Sequence, residues 1–166
     1  MACPERTAAA FARLYEECYG RVFHYIYSQV RDFELARDLT ADVFVRAFAR
    51  FHTLRQWDSR LPWLLVIAHN LLAAHYRRRQ REQAFARSLQ QYGEAEAQGT
   101  PVAEDLVLLE SEMGLLSRRE RQALSLRFDG GLTTAEIARL LGVREVTVRV
   151  LLYRALKKLR RALEGS

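Results

Sequence analysis

The sequence predicts an all-α fold made of two small helical domains joined by a polar acidic linker. Three observations predict it. Apolar residues recur with helical spacing through most of the chain, and the alternation a strand needs is nearly absent. Ser117 with Glu120, and Thr133 with Glu136, have the spacing of capping boxes that open helices. The stretch "EAEAQGTP", Glu94 to Pro101, holds few large apolar residues and ends in Gly-Thr-Pro, which reads as a linker. The predicted division is residues 6–82, a linker at 83–101, and residues 102–164.

Each element follows in chain order. Thr7 to Val30 is helical, with apolar positions Phe11, Leu14, Tyr15, Cys18, Val22, Phe23 and Ile26, and Gly20 is expected to divide or bend it. Asp32 can cap a helix from Phe33 to Arg50, whose apolar stripe is Leu35, Leu39, Val43 and Ala47. "FHTLRQWDSR", Phe51 to Arg60, is loop-like. Pro62 suits the first turn of a helix running to about Arg81. Thr100 can cap a new helix with Pro101 in its first turn. The Ser117 capping box opens a helix to about Phe128, Asp129-Gly130-Gly131 is a turn, and the Thr133 capping box opens a short helix ending near Gly142. The last helix runs from about Arg144 to Leu163.

Composition narrows the function. The 166 residues are 49% hydrophobic and 28% charged, a globular balance. The formal net charge of +6 favours a polyanionic partner. That charge is uneven. Gly142 to Ser166 carries seven basic residues against two glutamates, while Glu82 to Leu116 carries seven acidic residues against one arginine. Opposite biases in one small chain imply separate surfaces for separate partners. Cys3 and Cys18 form no metal-type pair. His69 and His75 lack acidic or cysteine company at ligand spacing, so neither a metal nor a cofactor is expected. No stretch reaches the ~20 apolar residues of a membrane span, so no membrane insertion is expected and the expected location is cytoplasmic.

The strongest local pattern lies near the C-terminus. Ala138, Gly142 and Val148 have helix-turn-helix spacing. A small residue at Ala138 lets two helices approach, Gly142 allows a left-handed turn, and Val148 packs the second helix on the first. Val148, Leu152, Ala155, Leu156 and Leu159 form the expected buried stripe. Arg149, Tyr153 and Lys157 lie on another face, suited to a major groove with basic neighbours on phosphates. A helical bundle with a merely solvated basic face is the plainer reading.

Three N-terminal patterns add to this. "LARDLTADVFVRAFARF" sets Asp38, Thr40 and Asp42 beside Phe44. "LPWLLVIAHNLLAAHYRRRQR" begins aromatic and apolar and ends in Arg77, Arg78, Arg79 and Arg81. The loop between them carries Trp57, Asp58 and Ser59. With "LLSRRERQALSLRFDGGLTTAEIARLLGVREVTVRVLLYRALKKLR" following in order, the chain resembles a bacterial sigma factor of the extracytoplasmic-function (ECF) group over nearly its whole length. The first fragment is similar to the family's region 2.2, the second to regions 2.3 and 2.4, and the last to region 4.

The resemblance implies a transcription initiation factor, not an enzyme, that binds core RNA polymerase and directs it to promoter DNA. It implies a region 2 bundle followed by a region 4 helix-turn-helix. By similarity, Asp38, Leu39, Thr40, Asp42, Val43 and Phe44 would dock on a coiled coil of the polymerase's largest subunit. Trp57, Asp58, Ser59, His69, Asn70, Tyr76, Arg77, Arg78, Arg79 and Arg81 would hold the melted minus-ten element. Trp63 is read as packing. Thr133, Thr134, Thr147, Arg149, Val150, Tyr153, Arg154 and Lys157 would read the minus-thirty-five element. An anti-sigma factor is a further implied partner. Val150 and Leu151 stand where the family often has Ser and Arg, Val146 where it has a small residue, and Ser117 where it has Pro. These departures bear on which promoter is read. In the family the linker threads the polymerase interior, where an acidic segment would imitate nucleic acid.

Two other classes compete with this reading. A stand-alone helix-turn-helix regulator would need a dimerisation surface and leaves Leu61 to Arg81 unexplained. A nuclease would need clustered acidic metal ligands.

Overall fold

A computed structural model describes residues 6–90 and 114–165. The linker beyond Gln90 and the Thr100 cap fall outside the described residues. Six helices appear among the described residues: α1 (Ala8–Val30), α2 (Phe33–Ala49), α3 (Arg60–Gln90), α4 (Arg118–Phe128), α5 (Thr134–Leu141) and α6 (Glu145–Glu164). None of the described helices is long and apolar enough to cross a membrane.

Local chemistry sets most boundaries. Thr7 and Asp32 cap α1 and α2, accepting hydrogen bonds from the Ala10 and Leu35 amides. The capping boxes of Ser117–Glu120 and Thr133–Glu136 are complete in both directions. Gly142 closes α5 in the left-handed conformation at φ 66. Two expectations fail. Gly20 does not divide α1: it sits exposed within an unbroken helix, where flanking turns packed on the core outweigh its weak propensity. The third helix passes Arg81 and runs to Gln90, because nothing in "EQAFARSLQ" breaks it. The loop after α2 tightens into two 3-10 turns, Phe51–Thr53 and Trp57–Ser59.

α1, α2 and α3 form a three-helix bundle around Leu14, Val22, Ile26, Val43, Leu64 and Leu72, all at most 1% exposed. Full burial of such side chains contributes about 1.5–3 kcal/mol each before entropy is charged. α4, α5 and α6 form a second, smaller bundle around Leu126, Ile137, Val148 and Ala155. Leu156, expected in that stripe, is 46% exposed, because Val148 and Ala155 already fill the contact with α4 and α5. Glu120 ties this bundle together: only 4% exposed, it accepts from the Ser117 amide and from Lys158 Nζ of α6 at 2.8 Å.

The two bundles are not independent. α4 packs on α1, and one buried cluster runs from Leu65 through Leu126 and Leu132. Ser28 Oγ stands 3.5 Å from Ser125 Oγ across the boundary. Gly130 makes the approach possible: a Cβ there would stand 2.6 Å from Leu65 Cδ1 and 2.7 Å from the Leu126 carbonyl oxygen.

Candidate nucleic-acid and protein interfaces

α2 carries the first candidate surface, and the structure divides its predicted residues. Leu39, Thr40, Val43 and Phe44 are buried, none more than 6% exposed. They seat α2 on its neighbours, with Phe44 and Leu39 each still lining a surface groove, and the Thr40 hydroxyl donates to the Ala36 carbonyl at 2.6 Å. Asp38 and Asp42 are exposed. Beside them lie residues that the sequence reading missed: Ala41, Val45 and Phe48, with Val45 69% and Phe48 65% exposed. With Phe11, Tyr15 and Tyr19 of α1 they border a shallow apolar groove. Phe48 meets Phe11 edge to face at 5.1 Å, and Tyr15 meets the buried Phe44 at 4.8 Å. The signal was present in the sequence. α2 has more apolar residues than its core stripe needs, and Val45 and Phe48 fall off that stripe.

The loop and α3 carry the second surface. Trp57 is corrected from a base contact to a core residue: it is 2% exposed, with Arg13 and Arg60 over its ring at 5.2 and 5.1 Å. A ring this large lowers the energy most where it packs inside. Asp58 and Ser59 remain exposed. Trp63 is half-buried, its Nε1 donating to Thr53 Oγ1 at 3.1 Å.

The helical period splits the α3 residues into different faces. His69 and Tyr76 face α1: Tyr25 Oη is 3.1 Å from His69 Nδ1, and Tyr76 Oη donates to the Gln29 carbonyl at 2.9 Å. Burial, helped by the Arg118 charge, holds His69 below the ordinary histidine range, so the ring is neutral at pH 7. Asn70, Arg77 and Arg81 share an exposed face, a cationic track on solvent. Arg78 faces α2 across a groove lined by Leu39, Asp42, His75 and Phe85. Arg79 is exposed on the Tyr76 side. Arg81 also lines the groove of Arg78, and Arg79 joins Arg78 beside His75, so the basic residues adjoin one another while Trp57 is buried apart from them.

The third surface is the helix-turn-helix, α5 and α6. Ile137 and Ala138 pack against Val148, which is fully buried, and the Val143 amide closes the turn on the Ala138 carbonyl at 3.0 Å. This leaves Arg149, Val150, Tyr153, Arg154 and Lys157 exposed along α6, with Thr147 half-buried at its start. Lys157 Nζ lies 5.8 Å from the Tyr153 ring centre. Thr133 and Thr134 are partly spent within the fold. Thr133 caps α5, and the Thr134 hydroxyl donates to Glu145 at 2.6 Å. The same Glu145 oxygen accepts from Arg149 at 2.9 Å. The Thr134 hydrogen bond, with the Arg149 charge, holds the Glu145 carboxyl below its usual range, so it is ionised and steadies the arginine. Glu145 and the 55% exposed Val146 are surface residues that the motif reading did not single out.

Known families and proteins resemble both halves of the chain. Residues 14–82 match the family model described as Sigma-70 region 2, and residues 106–159 match Sigma-70, region 4. The chain is 34% identical over 164 residues to the ECF RNA polymerase sigma factor BldN of Streptomyces coelicolor, covering 94% of this chain and 61% of BldN. It thus spans less than two thirds of that relative's length. It is 28% identical over 169 residues to the ECF RNA polymerase sigma factor SigK of Mycobacterium tuberculosis, covering 95% of this chain and 88% of SigK. Among solved structures, the sigma factor RpoE in complex with the anti-sigma factor NepR from Bartonella quintana aligns with a TM-score of 0.74 at 21% identity, covering 93% of this chain and 96% of that one. CnrH, in complex with the cytosolic domain of CnrY, aligns with a TM-score of 0.65 at 21% identity, covering 96% of this chain and 91% of that one. At that identity the structural likeness speaks for the fold.

Proposed function

The chain belongs to the sigma-70 family, in its ECF group, and from that premise we propose that it binds core RNA polymerase, directs it to specific promoters and helps to melt the promoter DNA. The observation that carries this reading is the pairing of two exposed surfaces of opposite chemistry on one small chain. An apolar groove edged by Asp38, with Asp42 exposed on the same helix, suits a basic protein surface. The exposed basic face of α6 suits a major groove.

Polymerase docking falls to Asp38, Asp42, Val45 and Phe48, with Leu39, Thr40, Val43 and Phe44 as the packing that presents them. Asn70, Arg77 and Arg81 guide the displaced strand along phosphates, while His69 and Tyr76 supply ring surfaces for unstacked bases once they are uncovered. Arg149, Val150, Tyr153 and Arg154 read the upstream element, and Lys157 contacts the backbone. Two weak sites held by one polymerase gain avidity and fix the spacing between the promoter elements. The chain acts in the cytoplasm beside the polymerase, and nucleotide addition belongs to that enzyme. An anti-sigma protein is a further proposed partner, in keeping with the NepR-bound neighbour.

Run-off transcription from genomic fragments with purified core polymerase tests this directly. Discrete promoter-dependent transcripts are expected only when this protein is added. Sequence-specific DNA binding by a dimer, with no effect on core polymerase, would replace the proposal with a stand-alone helix-turn-helix regulator.

A further inference from the structure

Four arginines from both domains gather around one tyrosine. The Arg118 guanidinium carbon lies 3.6 Å from the centre of the Tyr76 ring. Arg121 follows one turn later on α4, Arg31 closes α1, and Arg79 stands one turn beyond Tyr76 on α3. Burial raises the Tyr76 phenol above its ordinary range, and the charges of Arg118, Arg121, Arg79 and Arg31 all pull it back. Among the described residues, no carboxylate forms an ion pair with any of the four. Elsewhere the chain does supply acids: Glu17 for Arg13 and Arg60, Glu120 for Lys158, Glu145 for Arg149.

Two features set this cluster apart from a solvated basic face. Arg31 adopts φ 54 and ψ 28, and among the described residues it alone takes a positive φ without being glycine. Glycine holds such a helix-ending position at lower cost, so the arginine stands there against the backbone's preference. Arg31 Nη2 and Arg121 Nε are also cut off from solvent with no hydrogen-bond partner. Burial first, and then the Arg31 charge, lowers the Arg121 pKa, so the two cations repel across the domain boundary. Converging cations with unmet donors are unfavourable until an anion joins them.

We propose that this cluster is a binding site for a compact phosphate-class polyanion, gripped between the domains by Arg31, Arg79, Arg118 and Arg121 and holding the chain closed over Tyr76. Guanidinium forks match phosphate oxygens in pairs, and four cations call for a multivalent ligand. The ligand is compact because the four arginines converge on one ring. Arg77 and Arg81, by contrast, follow an exposed helix face and suit an extended strand. The phosphates come from an inorganic polyphosphate chain or from the tail of a nucleotide. A ligand that touches both domains stabilises only their closed arrangement, so it opposes use of Tyr76 on DNA.

The test is calorimetric titration of the full chain with sodium tripolyphosphate and, separately, with a nucleoside triphosphate. Both are run at fixed ionic strength with sulfate as control, and small-angle scattering follows chain dimensions. Arg31→Gly suits the left-handed backbone and preserves the fold, and Arg121→Gln removes a second cation. The expected result is one tripolyphosphate per chain, a smaller radius on binding, and affinity about tenfold weaker in each variant. Tighter binding of the nucleoside triphosphate assigns the site to nucleotides, and equal binding assigns it to the phosphate chain; both support the site. Affinity no better than for sulfate, or unchanged in both variants, overturns it. So does tighter binding of single-stranded DNA with the same sensitivity to the variants, since the ligand would then be an extended strand.

Discussion

Tyr25 Oη lies 3.1 Å from His69 Nδ1, joining α1 to α3 near the residues proposed for the minus-ten element. Burial drives the Tyr25 phenol far above its ordinary range, so it keeps its proton and donates. The neutral His69 ring must then accept at Nδ1 and carry its own proton on Nε2.

This bond sets a pH dependence. His69 binds its proton more weakly in the folded chain than at the unfolded value of 6.5. As the pH falls below that value the unfolded state takes up the proton first, so stability is full above it and declines below. His75, held down chiefly by burial, shifts in the same direction and adds to the effect. The melting temperature followed by circular dichroism should fall as the pH drops below about 6.5, and His69→Gln should flatten part of that slope. An unchanged slope in the variant would remove His69 from the account.

The α2 surface separates contact from packing. Phe48→Ala removes an exposed ring, so the fold should survive while affinity for core polymerase drops about tenfold, near 1.4 kcal/mol. Phe44→Ala truncates a ring that is 4% exposed and should cost about 3–5 kcal/mol of stability. Pull-down on core polymerase alongside chemical denaturation tells them apart. Full binding by the Phe48 variant would move the docking face elsewhere.

Trp57 gives a sharper contrast. As a core residue, Trp57→Ala should lose about 3–5 kcal/mol in urea unfolding. Trp57→Phe should fold and still support promoter opening, scored by permanganate reactivity of unpaired thymines. A folded Phe variant that cannot open promoters would restore the indole to DNA contact.

In the proposed reading, upstream recognition uses an arginine that Glu145 supports. Arg149→Ala is expected to cost about 1–3 kcal/mol at the cognate upstream element. Glu145→Gln should raise binding to scrambled DNA while lowering the ratio of specific to non-specific affinity, because the carboxylate both repels phosphate and fixes the Arg149 side chain. Competition binding at two salt concentrations measures both. Equal loss on scrambled DNA for the Arg149 variant would reduce it to a phosphate contact.

The sequence alone determined where most helices start, their caps and the helix-turn-helix. Those features depend on residues within a turn or two of each other: Ser117 reaching Glu120, Thr133 reaching Glu136, Gly142 relaxing into a left-handed turn. The order of the three motifs likewise pointed to the family before any packing was visible. Only the tertiary structure decided which motif residues face outward. Val43 lay on the apolar stripe legible in the sequence, but that Phe44 sits inside and Phe48 outside follows from α1 and α3 claiming one side of α2, since both rings fall off that stripe. Trp57 turned inward for the same reason, since a loop has no period from which burial is read. The meeting of Arg118 with Tyr76 was beyond the sequence altogether. The two residues stand far apart along the chain, and what brings them together is the close approach of α4 to α1 and α3 at Gly130, where a single added carbon would clash with Leu65 and Leu126.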